Sequence, residues 1–186
     1  MASLPNPQTV TYEEWLRMPE VTDAIEEVVD GEIRIMPPNK SVHARVVSRL
    51  ALHLQRQLDL SKFEVFSGSF GLVIRRQPLT CREPDVAVFE RATEVEVDGY
   101  FHSAPQLAVE VLSPSETRRS IDEKLRDYES IGTGEVWLVS PEAATVEVLV
   151  LENGQLRRAH LLAEGILRPR HFPDVQVHIA EIWPDR

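Results

Sequence analysis

The chain has 186 residues, a formal net charge of −10 and 42% hydrophobic residues. That length fits one domain with a sizeable core, and the acidic balance counts against tight non-specific binding of nucleic acid through neutralised phosphates. No apolar stretch approaches the roughly 20 residues of a membrane-spanning helix, and the single cysteine, Cys81, excludes an internal disulfide and a multi-cysteine zinc site.

Residues 1–10, with Pro5 and Pro7, are expected as a flexible tail ahead of one domain over 11–186. They have neither the basic nor the apolar region of a signal peptide, so a cytoplasmic setting is expected. Thr11 followed by Glu14 has capping-box spacing and predicts a short helix through Trp15 to about Met18. The stretch 26–36, EEVVDGEIRIM, reads as a hairpin turning at Asp30–Gly31 and ended by Pro37 and Pro38. Ser41 is the expected N-cap of the longest helix, roughly 42–58, whose apolar face is Val46, Val47, Leu50, Leu54 and Leu58. Arg45, Arg49, His53 and Arg56 form a basic stripe on it.

Short strands are predicted at 63–66, 70–76 and 84–89, then a loop at Asp98–Gly99 and the strand LAVEVL at 107–112. SPSE, 113–116, ends that strand and caps a helix over roughly 117–131, which Gly132 and Gly134 stop. EVWLVS follows at 135–140, then a hairpin of 145–151 and 155–162 about Asn153–Gly154, and a short apolar segment, 177–183. The order implies an α/β fold of mixed α+β type, with helices flanking a central mixed sheet and a hairpin at the N-terminus. Strand 107–112, its helix and strand 135–140 form a crossover unit, so those two strands are expected to be parallel.

The most informative residue is Glu110, a carboxylate inside an apolar run that reads as buried on both faces. An unpaired polar group there costs roughly 2–7 kcal/mol, so a cation, a metal or a donor network must satisfy it. Asp85 opens a neighbouring short strand, and Lys124 flanks the inward face defined by Ile121, Leu125 and Tyr128. Two carboxylates and a lysine suit a divalent ion acting on a phosphodiester, with magnesium or manganese held by oxygen ligands. His43, on the apolar side of the long helix, is a candidate base or phosphate contact, the alternative being a hydrogen-bonded core histidine. Glu27 is either a third carboxylate at the metal or a solvated strand residue. Arg118, Arg119, Arg45 and Arg49 are candidate nucleic-acid contacts, and Ser113 and Ser115 with adjacent amides a candidate phosphate site. No glycine-rich phosphate loop, HExxH, CxxC or GxSxG is present, so no organic cofactor is expected.

Taken together, EEVVDGEI, the proline-rich bend before His43, Pro84–Asp85, PQLAVEVLSPSE, the Lys124 and Tyr128 pair and EVWLVSP resemble the Uma family of restriction endonucleases, a branch of the PD-(D/E)XK nuclease superfamily. The resemblance runs from about Thr11 to the C-terminus. It implies a restriction-endonuclease-like fold and a magnesium-dependent nuclease site with Asp85 and Glu110 as metal ligands, joined by the Val111 carbonyl. It supplies the lysine as Lys124 from the helix, Leu112 standing where the superfamily commonly has it, and raises Glu27 and His43 as assisting residues. The chain departs from the family pattern at Ser120 and Ser140, where members often carry an acid. The expected activity is metal-dependent hydrolysis of DNA by a homodimer, with no membrane association. The alternatives are a nuclease-fold protein that binds nucleic acid or a protein partner without cutting, and a purely structural module in which an arginine pairs Glu110.

Overall fold

The computed structural model describes residues 9–19, 25–36 and 38–184. Most of the expected tail and Pro37 lie outside these. Packing has begun by Val10, whose N–H donates to the Gly31 carbonyl and whose carbonyl accepts from Leu79 N–H.

Thr11 and Glu14 form the expected capping box of α1, Tyr12–Trp15, which ends before Met18. Strands β1, Ile25–Val29, and β2, Glu32–Met36, make the first hairpin. Its turn residues Asp30 and Gly31 have φ of 52° and 81°, the left-handed pair that a tight primed turn requires. Helix α2 spans Ser41–Gln57; its N-cap is Lys40, one residue before the expected Ser41, and makes no side-chain cap bond.

Strands β3, Phe63–Ser67, β4, Leu72–Arg76, and β6, Val86–Glu90, match the predicted runs within two residues. Strand β5, Leu79–Arg82, has no counterpart in the predicted elements. It is four residues long and sits between Pro78 and Pro84, which obscure its period. The expected loop at Asp98–Gly99 is a minimal hairpin of β7, Glu96–Val97, and β8, Tyr100–Phe101.

Strand β9, Leu107–Val111, leads to α3, Arg118–Ile131. The helix cap is Thr117, in a box with Ser120, rather than the preceding SPSE segment. Gly132, at φ 85°, ends it in the left-handed conformation. Strands β10, Glu135–Ser140, β11, Thr145–Glu152, and β12, Gln155–Leu162, follow. The chain closes with β13, Ile166–Leu167, β14, Val177–His178, and α4, Ile179–Ile182.

Among the described residues the expected single sheet is two six-stranded sheets and a small ribbon of β13 and β14. The central sheet runs β12-β11-β10-β9-β6-β3, and β9 and β10 are parallel, as the crossover requires. The second runs β2-β1-β5-β4-β8-β7. An aromatic seam joins them, with Phe89 stacked on Phe101 at 4.5 Å and Phe66 at 4.6 Å from Phe101. On one face of the central sheet, Val46, Leu50 and Leu54 of α2 cover Val86, Val88, Leu107, Val109 and Val111. On the other, Tyr128, Ile121 and Leu125 of α3 meet Ala87, Phe89 and Ala108. Alternation along β9 therefore turns Glu110 toward α3.

Candidate active site

Strand register assembles the site. β6 and β9 pair antiparallel with Val86 against Val109 and Ala87 against Ala108. One step further, the same register sets Asp85 against Glu110, both on the α3 side. Asp85 extends the ladder with its side chain, its Oδ2 accepting the Val111 N–H at 2.7 Å. Its Oδ1 lies 3.2 Å from Nε2 of His43, brought in by the first turn of α2. His43 Nδ1 is buried and has no hydrogen-bond partner among the described residues.

Glu110 is 3% exposed. Its Oε2 accepts from Lys124 Nζ at 2.7 Å and its Oε1 from the Tyr128 hydroxyl. Lys124 and Tyr128 are one turn apart on α3, so a single helix face supplies both donors. Lys124 is 8% exposed, and its Nζ also lies 3.5 Å from Glu27 Oε1 and 3.7 Å from Glu116 Oε1. Glu27 is held in turn by Arg82 of β5, whose Nη1 donates to Oε2 at 2.8 Å. Arg82 is 1% exposed and also contacts Asp127 on α3, Nη2 to Oδ2 at 2.6 Å. A chain of alternating charge thus runs Asp127, Arg82, Glu27, Lys124, Glu110.

Burial sets the electrostatics. It raises the Glu110 carboxyl to about 7; Lys124 opposes the rise, while Asp85 and Glu27 add to it. Burial also works against the Lys124 ammonium, but Glu110 and then Glu27 outweigh it and hold the lysine charged. For Glu27, burial is outweighed by Lys124 and Arg82, so its carboxyl lies below the ordinary value. His43 is lifted above the ordinary imidazole value, because its bond to Asp85 and the Asp85 charge exceed the effect of burial. Burial, then Glu27, raises Glu83 to about 7.

Glu27, His43, Asp85, Glu110, Val111 and Lys124 all line one cleft of ≈680 Å³. The candidate basic contacts stand apart. Arg49 donates to the Glu181 carbonyl at 3.3 Å and to that of Trp183, binding α2 to the C-terminal segment. Arg119 pairs with Glu123 at 3.3 Å, Arg45 and Arg118 are exposed, and none of the four lines the cleft. The Ser113 amide is taken by Glu116 Oε2 at 2.7 Å, so the SPSE turn is closed on itself. Ser120, at a departure from the family pattern, caps α3.

The residues that sequence reasoning missed are Arg82 and Asp127, the role of Glu116, and the hydroxyl of Tyr128 on Glu110. A buried glutamate signals that a cation is near, but nothing local selects which of 20 lysines and arginines supplies it. The Tyr128 contact was legible in principle, four residues after Lys124 on the same face.

The donor chemistry suits a hard divalent ion: two carboxylates, Asp85 and Glu110, set against each other by the strand register. Among the described residues no group of three or more His, Cys, Asp or Glu side chains is arranged to hold a metal. Magnesium commonly takes only one or two carboxylates and keeps several waters, so the fit rests on Asp85 and Glu110.

Comparison with known proteins agrees with this fold. The structure is similar to a crystal structure described as a putative nuclease belonging to DUF820 from Anabaena variabilis ATCC 29413, with a TM-score of 0.75 and 19% identity, covering 93% of this chain and 97% of that one. Among curated proteins no relative matches. The Uma2 family model, described as "Putative restriction endonuclease", matches residues 12–180. The chain therefore belongs to the Uma2 family of restriction-endonuclease-like proteins.

Proposed function

We propose that this protein is a metal-dependent endonuclease that hydrolyses phosphodiester bonds in DNA. The observation that carries the reading is the Lys124 ammonium, 2.7 Å from Glu110 in a cleft that Asp85 also lines. Phosphodiester hydrolysis needs a water made nucleophilic and compensation for charge that builds on the phosphate oxygens. Asp85, Glu110 and the Val111 carbonyl would hold magnesium, or manganese in its place. When bound, that ion supplies charge neutralisation at the phosphate and acidifies water.

The chain's own groups supply the rest. Lys124 orients the attacking water through its N–H donors and places a fixed positive charge beside the phosphate. Glu27, made anionic by Arg82, keeps Lys124 charged and directed toward Glu110. Tyr128 fixes the orientation of the Glu110 carboxylate. His43, bonded to Asp85, holds that carboxylate in place and offers a proton at Nε2. A homodimer is part of this reading, and solution mass is the check. A cytoplasmic setting accords with the lone, buried Cys81.

A second reading is a nuclease-fold protein that binds nucleic acid or a protein partner without cutting. It is favoured by Glu110 having both oxygens engaged, by Lys124 and by Tyr128. Turnover separates the two readings. Plasmid and single-stranded DNA would be incubated with magnesium or manganese and wild type or Glu110→Gln. Cleavage by wild type alone supports the endonuclease; no cleavage with either metal supports the binder.

A further inference from the structure

The cleft is lined unevenly. Three of its carboxylates, Glu27, Glu110 and Glu116, surround one buried lysine, Lys124, and Glu83, Asp85 and Glu142 also line it. Its remaining lining is largely apolar: Met36 of β2, Pro38 and Val42 at the start of α2, and Leu112, Pro114 and Pro141 after β9 and β10. A second cleft of ≈350 Å³ shares Asn39, His43, Glu83 and Asp85 with the first. The two therefore meet at the His43–Asp85 pair. The smaller is hydroxyl-bearing, with Ser48, Ser67 and Ser69. Together they form one track across the site, with an apolar wall on one side of Asp85 and serine hydroxyls on the other.

This track is poorly matched to an intact duplex. Surfaces that follow a duplex backbone are positive, because each phosphate contact releases counterions. Here the charged lining is mostly carboxylate, and among the described residues Lys40 and Lys124 are its lysines. Glu110 and Lys124 are almost wholly buried, so a scissile phosphate must come inside a volume of the size that encloses a small ligand, about 300–1,000 Å³. A base still paired and stacked cannot turn its face to the apolar wall beside that phosphate without leaving its stack. An unpaired nucleotide can. Its base offers an apolar face to Met36, Val42 and Pro114, and burying that face is favourable whichever base it is. Its neighbour's sugar and phosphate offer acceptors to the serine hydroxyls.

We infer that the site takes an unpaired stretch of nucleic acid. A nucleobase lies against the apolar wall, the scissile phosphate lies over Asp85, and the adjoining nucleotide runs along Ser48, Ser67 and Ser69. This rests on the phosphodiester reading above and names the substrate class for it.

The test uses the full chain and labelled DNA of one sequence in three forms: single strand, full duplex, and duplex with an internal unpaired loop. Binding is read by fluorescence anisotropy with calcium, and cleavage by gel with manganese. Single strand and looped duplex should bind and cut at least about tenfold better than full duplex, with cuts in the looped form confined to the loop. Val42→Asp, at a position 46% exposed, should keep its melting temperature and weaken single-strand binding about tenfold. Equal or better use of the full duplex overturns the inference and leaves the endonuclease standing. Preferential single-strand binding without any cutting upholds the inference and removes the hydrolytic role. No binding to any form removes both, and unchanged single-strand affinity in Val42→Asp overturns the placement of the base.

Discussion

On the α2 face of the central sheet, Leu107, Val109 and Val111 of β9 meet Leu50 and Leu54 across an apolar contact. One residue along the same strand, on the α3 face, Ala108 and Glu110 meet Lys124 and Tyr128, and behind them Glu27, Arg82 and Asp127. Both faces are buried, yet their energetics differ. Each fully buried aliphatic side chain on the α2 face contributes about 1.5–3 kcal/mol. The charged face recovers by pairing roughly what it loses by desolvation, and a well-packed apolar replacement would often be as stable or more so. Stability therefore does not account for a buried Glu110–Lys124 pair, whereas the proposed chemistry at the cleft would. The comparison divides the domain into a face that holds it together and a face that tolerates charge for the sake of the site.

That division can be broken by experiment. The largest expected effect is on turnover: Glu110→Gln should remove metal-dependent cleavage while far-ultraviolet circular dichroism stays that of wild type. Measurable cleavage at matched purity would remove Glu110 from the chemistry. On the α2 face, Trp137→Ala, at a site with no exposure, should cost about 3–5 kcal/mol in denaturant unfolding. A loss below 1 kcal/mol would mean that this face is not the stabilising one. Lys124→Met should cost about 3 kcal/mol, since Glu110 and Glu27 lose their shared cation. Adding Glu110→Gln to it should recover part of that loss, and strictly additive costs would show that the two side chains are not coupled in solution. The smallest effect is local. Thr117→Ala removes one half of the α3 capping box and should cost about 1 kcal/mol, with cleavage retained. Cleavage falling in step with Lys124→Met would instead make the cap part of the catalytic apparatus.

Sequence reasoning reached the charged face through local signals. A glutamate inside LAVEVL had to find a partner, and helical spacing brought Lys124 to the inward edge of α3. Both follow from periodicity, which is a short-range property of the chain. The parallel pairing of β9 and β10 followed from the single helix between them. The second sheet was less legible, because it rests on β5 between two prolines and on the two-residue strands β7 and β8. Strands so short carry almost no period of their own.

The sequence by itself determined where the turns at Asp30–Gly31 and Asn153–Gly154 fall, which residues of α2 face inward, and that Glu110, Lys124 and Asp85 are of the type a metal-dependent site would need. Only the tertiary structure decided that Arg82 from β5 reaches Glu27 of β1 and Asp127 of α3, and that Glu116 lies beside Lys124. It also turned Arg49 inward to the Glu181 and Trp183 carbonyls. The reason is physical. Burial and helix or strand period are written in neighbouring residues, whereas the partner of a buried charge depends on distant segments brought together by register, and any of many arginines would satisfy the local chain equally well.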